Sequence, residues 1–210
     1  RIVCVSEATR RDLLKECPPA ADLARTVYNG IDVSAFDRQA NGEHIRKEYA
    51  PTDGPVLLTI ARLSEPKGHR YLLKALPNIV KRWPTLTCLF VGDGECRTSL
   101  QTLAEQLGIG QTCRFVGAKD NVADFYAAAD VVVLPSLSEG FPFVVLEALA
   151  MSRPTVATQV NGVPEIIEDG VTGLLVPPRD VQALEGAIRR VLHDPVWAAQ
   201  MGKAGRARVA

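Results

Sequence analysis

The chain has 210 residues, 47% of them hydrophobic and 23% charged, with a formal net charge of zero. That is ample apolar material for one large packed domain and carries no mark of disorder. The balanced charge gives no electrostatic footprint for nucleic acid or an anionic membrane surface, and no apolar run approaches the ~20 residues that span a bilayer.

In chain order, Arg1–Ser6 reads as a strand and Glu7–Lys15 as a helix, both set apart from the main run of elements. From Pro55 onward strands and helices alternate with short Gly/Pro-rich breaks, which predicts βα units and a parallel sheet in an α/β fold. Pro55–Ala61 is a strand, and Lys67–Arg82 an amphipathic helix carrying Leu72, Leu73, Leu76, Ile79 and Val80. Pro77 inside it predicts a kink or an early end. Next come the strand Thr85–Val91, the helix Arg97–Leu107 stopped by Gly108, the short strand Cys113–Val116 and the short helix Val122–Ala128.

Asp130–Ser136 has the continuous apolar character of a buried parallel strand, and Val144–Met151 reads as a helix with Pro142 at its first position. Pro154–Thr158, a short helix near Pro164–Ile167 and the strand Gly173–Val176 come after it. Asp180 caps a helix through Val191, and Asp194-Pro195 opens a last one by the same logic. Cys4, Cys17, Cys88, Cys96 and Cys113 contain no C-x-x-C pair, so small core hydrophobes in a reducing compartment are expected rather than a disulfide frame or a zinc site. With no signal peptide ahead of Ile2, the expected location is cytoplasmic. His44, His69 and His193 are scattered and expected at the surface or in packing.

Chemistry concentrates at strand ends. Glu139 falls in the loop between a buried strand and a helix, and Glu147 lies on that helix. Free N–H groups at the helix start favour a phosphate, and carboxylates beside them can accept from sugar hydroxyls. Arg62 and Lys67, after the strand that ends at Ala61, add a planar guanidinium and a mobile ammonium, a combination suited to a diphosphate. Phe90-Val91-Gly92-Asp93-Gly94 is a Gly-x-Gly turn; it lacks the third glycine and the acidic partner of a dinucleotide site, and as a plain tight turn it needs no ligand.

The Glu-Gly-Phe-(x)5-Glu spacing resembles the E-x7-E signature of retaining family-4 glycosyltransferases (glycosyl transferases group 1). Arg62 and Lys67 are similar to that family's R-x4-K, Val91–Gly94 to its "VGDG" turn and Phe115-Val116-Gly117 to its "F-x-G". Asn29–Asp32 resembles "NGID", and Asn161–Glu165 and Gly170–Gly173 its later loops, with Asn161 in place of a glycine.

The resemblance implies a Rossmann-like parallel sheet flanked by helices, the C-terminal half of a GT-B fold. Residues 1–24 would be a remnant of the N-terminal domain and link, and 25–210 the nucleotide-sugar-binding domain. Arg62, Lys67 and Glu139 would be catalytic, neutralising the leaving diphosphate and holding the transferred sugar. Gly92, Gly94 and Val116 would meet the nucleoside, Gly140, Phe141, Val144 and Val145 would offer backbone N–H groups, and Glu147 would grip the ribose. Transfer would retain configuration and need no metal or other cofactor, the nucleotide sugar being the substrate. Uracil, guanine and adenine are equally compatible. The acceptor domain would lie outside this chain, and the full-length enzyme would associate peripherally with a membrane. The alternative is a nonenzymatic nucleotide- or partner-binding module built on the same domain.

Overall fold

The structure, a computed structural model, describes residues 1–37 and 40–210. Strand β1 (Ile2–Cys4), helix α1 (Glu7–Glu16) and strand β2 (Ala24–Thr26) come first. β1 and β2 pair in parallel, Val3 opposite Arg25, as a separate two-stranded sheet, and β2 runs across the expected 24/25 boundary. Helices α2 (Val33–Asp37) and α3 (Gly42–Tyr49) lead into the main run. Its first half is β3 (Val56–Ile60), α4 (His69–Arg82), β4 (Thr87–Val91), α5 (Arg97–Gln106) and β5 (Cys113–Gly117). The second half holds α6 (Val122–Ala128), β6 (Val131–Leu134), α7 (Phe143–Ala150), β7 (Thr155–Thr158), α8 (Val163–Ile166) and β8 (Leu174–Val176). Helices α9 (Val181–His193) and α10 (Pro195–Val209) close it, each capped by the side chain of the preceding aspartate as expected.

Six strands form one all-parallel sheet in the order β5-β4-β3-β6-β7-β8. The chain starts mid-sheet at β3, winds outward to β5, then returns to pair β6 against β3, with Leu58 opposite Val132. Loops leaving β3 and β6 diverge to opposite faces, and the crevice between them at the carboxyl edge is where open α/β sheets bind ligands.

Both faces of the sheet are covered, which is why its central strands read as unbroken apolar runs. Neighbouring residues point to opposite layers. Leu57 joins the cluster that holds Leu72, Leu76 and Ile79 of α4 and Leu184 and Ile188 of α9. Leu58 joins the other, with Ile45 of α3, Phe125 and Tyr126 of α6 and Ala148 of α7. Truncating one of these fully buried leucines to alanine typically costs about 2–5 kcal/mol.

Two expectations are corrected. Helix α4 reaches Arg82, the end expected for it, so the early end that Pro77 offered does not occur; one missing ladder donor is outweighed by Leu72, Leu73, Leu76 and Ile79, all fully buried on its inner face. Pro142 is the N-cap of α7 rather than its first residue, in an extended conformation with φ −72° and ψ 123°. The cysteines are all free; Cys4, Cys88 and Cys113 are buried, whereas Cys17 is exposed. Burial pushes the Cys113 thiol up to about 12, the value of an inert core group. No helix among the described residues is long and apolar enough to cross a membrane.

Candidate active site

The crevice contains a cavity of about 330 Å³ whose wall includes Arg62, Lys67, Glu139, Gly140, Phe141 and Val144. The two basic residues arrive from the β3 side and the other four from the β6 side. The chain reaches this geometry by a tight turn: Gly68 has φ 65°, and a Cβ there would meet the Pro135 carbonyl oxygen. Leu137 N–H donates to the Pro66 carbonyl at 2.7 Å, tying one loop to the other.

Lys67 Nζ lies 2.8 Å from Glu139 Oε1, and the pair is shielded, with side chains 29% and 7% exposed. Ser136 Oγ donates to the same oxygen at 2.6 Å. Glu139 Oε2 therefore has no protein donor among the described residues. The backbone N–H of Glu139 donates to the Asn161 side-chain oxygen at 3.2 Å. Asn161 adopts φ 41°, which explains why asparagine serves where glycine otherwise would.

Arg62 is exposed and pairs with Glu95 at 3.2 Å. Glu95 is held below the usual carboxylate range, first by its own backbone N–H and then by Arg62. Under the Arg62 loop lies His69, 2% exposed, with Nε2 3.1 Å from the Arg62 carbonyl and its ring edge-on to Phe90. Its pKa is lowered, chiefly by burial, so the ring is a neutral strut whose Nε2–H donates.

At the start of α7, Val145 N–H donates to the Pro142 carbonyl at 3.2 Å. Its amide is thus occupied, against expectation, because Pro142 caps the helix. The N–H groups of Phe143 and Val144 are the ones a helix start leaves unpaired.

Glu147 lies one turn further along and outside the cavity wall. Tyr126 Oη donates to its Oε2 at 2.7 Å.

Gly92, Gly94 and Val116 also lie outside that wall. Gly92 has φ 133°, and a Cβ on Gly92 or Gly94 would meet the carbonyl oxygens of Ala61 or Leu63. Leu63 N–H donates to the Asp93 carbonyl at 2.9 Å. The Gly-x-Gly turn thus braces the Arg62 loop, a structural reason for both glycines. Val116 occupies a bulge: Phe90 registers with Phe115 and Val91 with Gly117, which takes Val116 out of the β4 ladder.

The N-terminal segment reaches the same crevice. Glu165 accepts from the backbone N–H groups of Glu7 and Ala8 at 2.9 and 2.8 Å. Asn29 Nδ2 donates to the Phe141 carbonyl at 2.9 Å, and Tyr28 packs against the Phe141 ring. Tyr126 carries no mark in the sequence, since it supports Glu147 across a tertiary contact that no spacing encodes, whereas Ser136 supports Glu139 from three residues earlier in the same loop. Among the described residues no group of His, Cys, Asp and Glu is arranged to hold a metal ion.

The glycosyl transferases group 1 family matches residues 41–208. A GDP-mannose-dependent alpha-(1-6)-phosphatidylinositol monomannoside mannosyltransferase of Mycolicibacterium smegmatis is 33% identical, over 98% of this chain and 56% of its own length. An Anabaena protein solved in complex with UDP and glucose superimposes with a TM-score of 0.92 at 25% identity, covering 99% of this chain and 57% of that one. The C-terminal domain of a glycosyl transferase group 1 family protein from Francisella tularensis gives a TM-score of 0.74 at 25% identity, over 86% of this chain and 96% of that domain. The chain spans about half the length of the curated relatives it matches (51% of each of two).

Proposed function

The chain belongs to the glycosyl transferases group 1 family, and on that premise we propose that residues 25–210 form the C-terminal, donor-binding domain of a retaining GT-B glycosyltransferase. In this reading residues 1–24 are the end of the acceptor domain and the link. The likeness to the Francisella C-terminal domain and the half-length span of the relatives support it.

The observation that carries the reading is the meeting of Arg62, Lys67, Glu139 and the α7 N-terminus around one cavity at the switch point. Breaking a sugar–diphosphate bond builds negative charge on the leaving group, and stabilising that charge is the largest help a protein offers. Arg62 and Lys67 provide two positive charges, and the Phe143 and Val144 N–H groups provide oriented dipoles at the same place. Glu139, with Oε2 uncommitted, accepts from a hydroxyl of the transferred sugar. Glu147 accepts from the ribose, and the bulge at Val116 frees backbone polar groups for the base.

The electron pair of the anomeric C–O bond leaves with the diphosphate. The acceptor hydroxyl attacks the same face, and its proton passes to the departing phosphate oxygen. No metal is required, because the two cations and the helix start fill the role that Mg²⁺ would otherwise have. The donor is a nucleotide sugar, and the full-length protein works in the cytoplasm against a membrane-associated acceptor.

Calorimetric titration of the chain with UDP, GDP and ADP, then with their sugar conjugates, tests this. One nucleotide is expected to bind selectively, and Arg62→Ala and Glu147→Ala are each expected to weaken it. A folded chain that binds none of the three would sink the donor reading.

A further inference from the structure

Tyr126 is fully buried on α6, with its hydroxyl 2.7 Å from Glu147 Oε2 and 3.3 Å from the Val144 carbonyl. Its ring is fixed by packing. It meets Phe36 edge-on at 6.4 Å between centroids and belongs to the cluster of Leu58, Leu89, Val132 and Ala148. A phenol carries one proton, and the shorter of its two contacts is to the carboxylate. Burial, reinforced by the neighbouring Glu147, raises the Tyr126 pKa well above its ordinary value, so it remains a donor at any physiological pH.

Glu147 is half-buried on the second turn of α7, one turn beyond Val144 in the cavity wall. Its Oε2 is tied to Tyr126, and its Oε1 has no protein donor among the described residues. A carboxylate with one oxygen tied to a rigid side chain is a single acceptor of fixed direction. A ribose, with two adjacent hydroxyl donors, suits such an acceptor.

We infer that Tyr126 is a positioning residue that aims the Glu147 carboxylate at the ribose hydroxyls of the donor nucleotide, and so sets the preference for ribo- over deoxyribonucleotides. The assignment rests on the reading of this crevice as a nucleotide-sugar site. It extends the site into a layer of buried side chains that never touch the substrate.

The test compares UDP, GDP and ADP with their 2′-deoxy forms by calorimetry, on wild type, Tyr126→Phe, Glu147→Gln and the double variant. Wild type is expected to bind its preferred ribonucleotide about tenfold or more tighter than the deoxy form, the scale of a hydrogen bond to a charged group. Tyr126→Phe keeps the ring and loses only the hydroxyl; it is expected to shrink that ratio to about twofold, the ribo form losing more affinity than the deoxy form, which offers only its 3′-hydroxyl. Glu147→Gln alone is expected to do the same, and adding Tyr126→Phe to it should change the ratio little, because both act through one contact. A Tyr126→Phe variant that weakens ribo and deoxy forms equally, or retains the wild-type ratio, would overturn the positioning role while leaving the donor reading intact. A wild-type chain that binds no nucleotide would overturn both.

Discussion

Lys67 and Glu139 stand 72 positions apart in the chain and form a 2.8 Å ion pair across the seam between the two halves of the sheet. The pair is shielded from water on the Glu139 side, with that side chain only 7% exposed. One member belongs to the diphosphate end of the proposed donor and the other to its sugar end. Lys67→Met is therefore expected to weaken binding of the preferred nucleoside diphosphate by about 10–100-fold, the value of a charge-assisted hydrogen bond. The parent nucleoside, which has no phosphate, should lose less than about twofold in the same titration. An equal loss for both would mean that Lys67 only shapes the cavity.

His69 predicts a pH dependence of stability. Burial lowers its folded pKa, with the contact to the Arg62 carbonyl opposing and the Lys67 charge adding to the shift. The unfolded ring titrates near its ordinary value of about 6.5. Its contribution is thus fully present above about pH 6.5 and is lost as pH falls toward the depressed folded value. Urea unfolding of wild type should weaken more steeply than that of His69→Gln between about pH 7 and pH 5. His44 and His193 are exposed and present in both proteins, so they cancel. Parallel slopes would refute the assignment.

Two glycines should respond to alanine with opposite signs. Gly92 has φ 133°, and a Cβ there would press on the Ala61 carbonyl oxygen. Gly92→Ala is expected to cost about 2–4 kcal/mol, combining backbone strain with displacement of the Arg62 loop. Gly186 lies exposed inside α9 with nothing within 4 Å of an added Cβ. There alanine should raise stability by about 0.5–1 kcal/mol, read as a higher denaturation midpoint.

Glu165, distant in sequence, accepts from the first two backbone N–H groups of α1. Glu165→Ala should speed amide exchange at Glu7 and Ala8 by about five- to tenfold, the equivalent of one lost cap. Exchange in β3 and β6 should be unchanged. Uniform acceleration across the chain would show a global loss of stability instead.

The order of the main elements is legible in the sequence because β3, β4, β6 and β8 are largely apolar runs bounded by Gly, Pro or polar caps, with the more mixed β5 and β7 between them. The sites on strand ends are legible for the same reason: Arg62, Lys67 and Glu139 each come after a run that could only be buried. The elements that escape have weaker local signals. Helix α3 is about two turns long and buries only Ile45, and β2 is three residues long and gains its meaning only from pairing with β1. Pro77 reads as a breaker because local rules cannot weigh four buried side chains against one missing hydrogen bond. The Val145 amide differs from expectation because it bonds back to the Pro142 carbonyl, a bond set by the geometry of the first turn that sequence cues do not resolve. Tyr126 cannot be found from spacing at all, because it supports Glu147 through the fold, while Ser136 sits only three residues before Glu139 and is one of many loop serines that spacing does not single out.

The switch-point topology also bears on how the chain acquires its site. The stretch from β3 through β5 carries the cationic half of the crevice and can assemble from neighbouring βα units. The carboxylate half arrives only when β6 returns to pair with β3, which requires closing a long loop after much of the first half is built. Along a folding trajectory, or during vectorial synthesis, Arg62 would meet its partner Glu95 within the first half, whereas Lys67 would stand in place before its partner Glu139 arrives. A ligand-responsive signal at the crevice should then be among the last to appear on refolding, behind any probe that reports on the β3–β5 half.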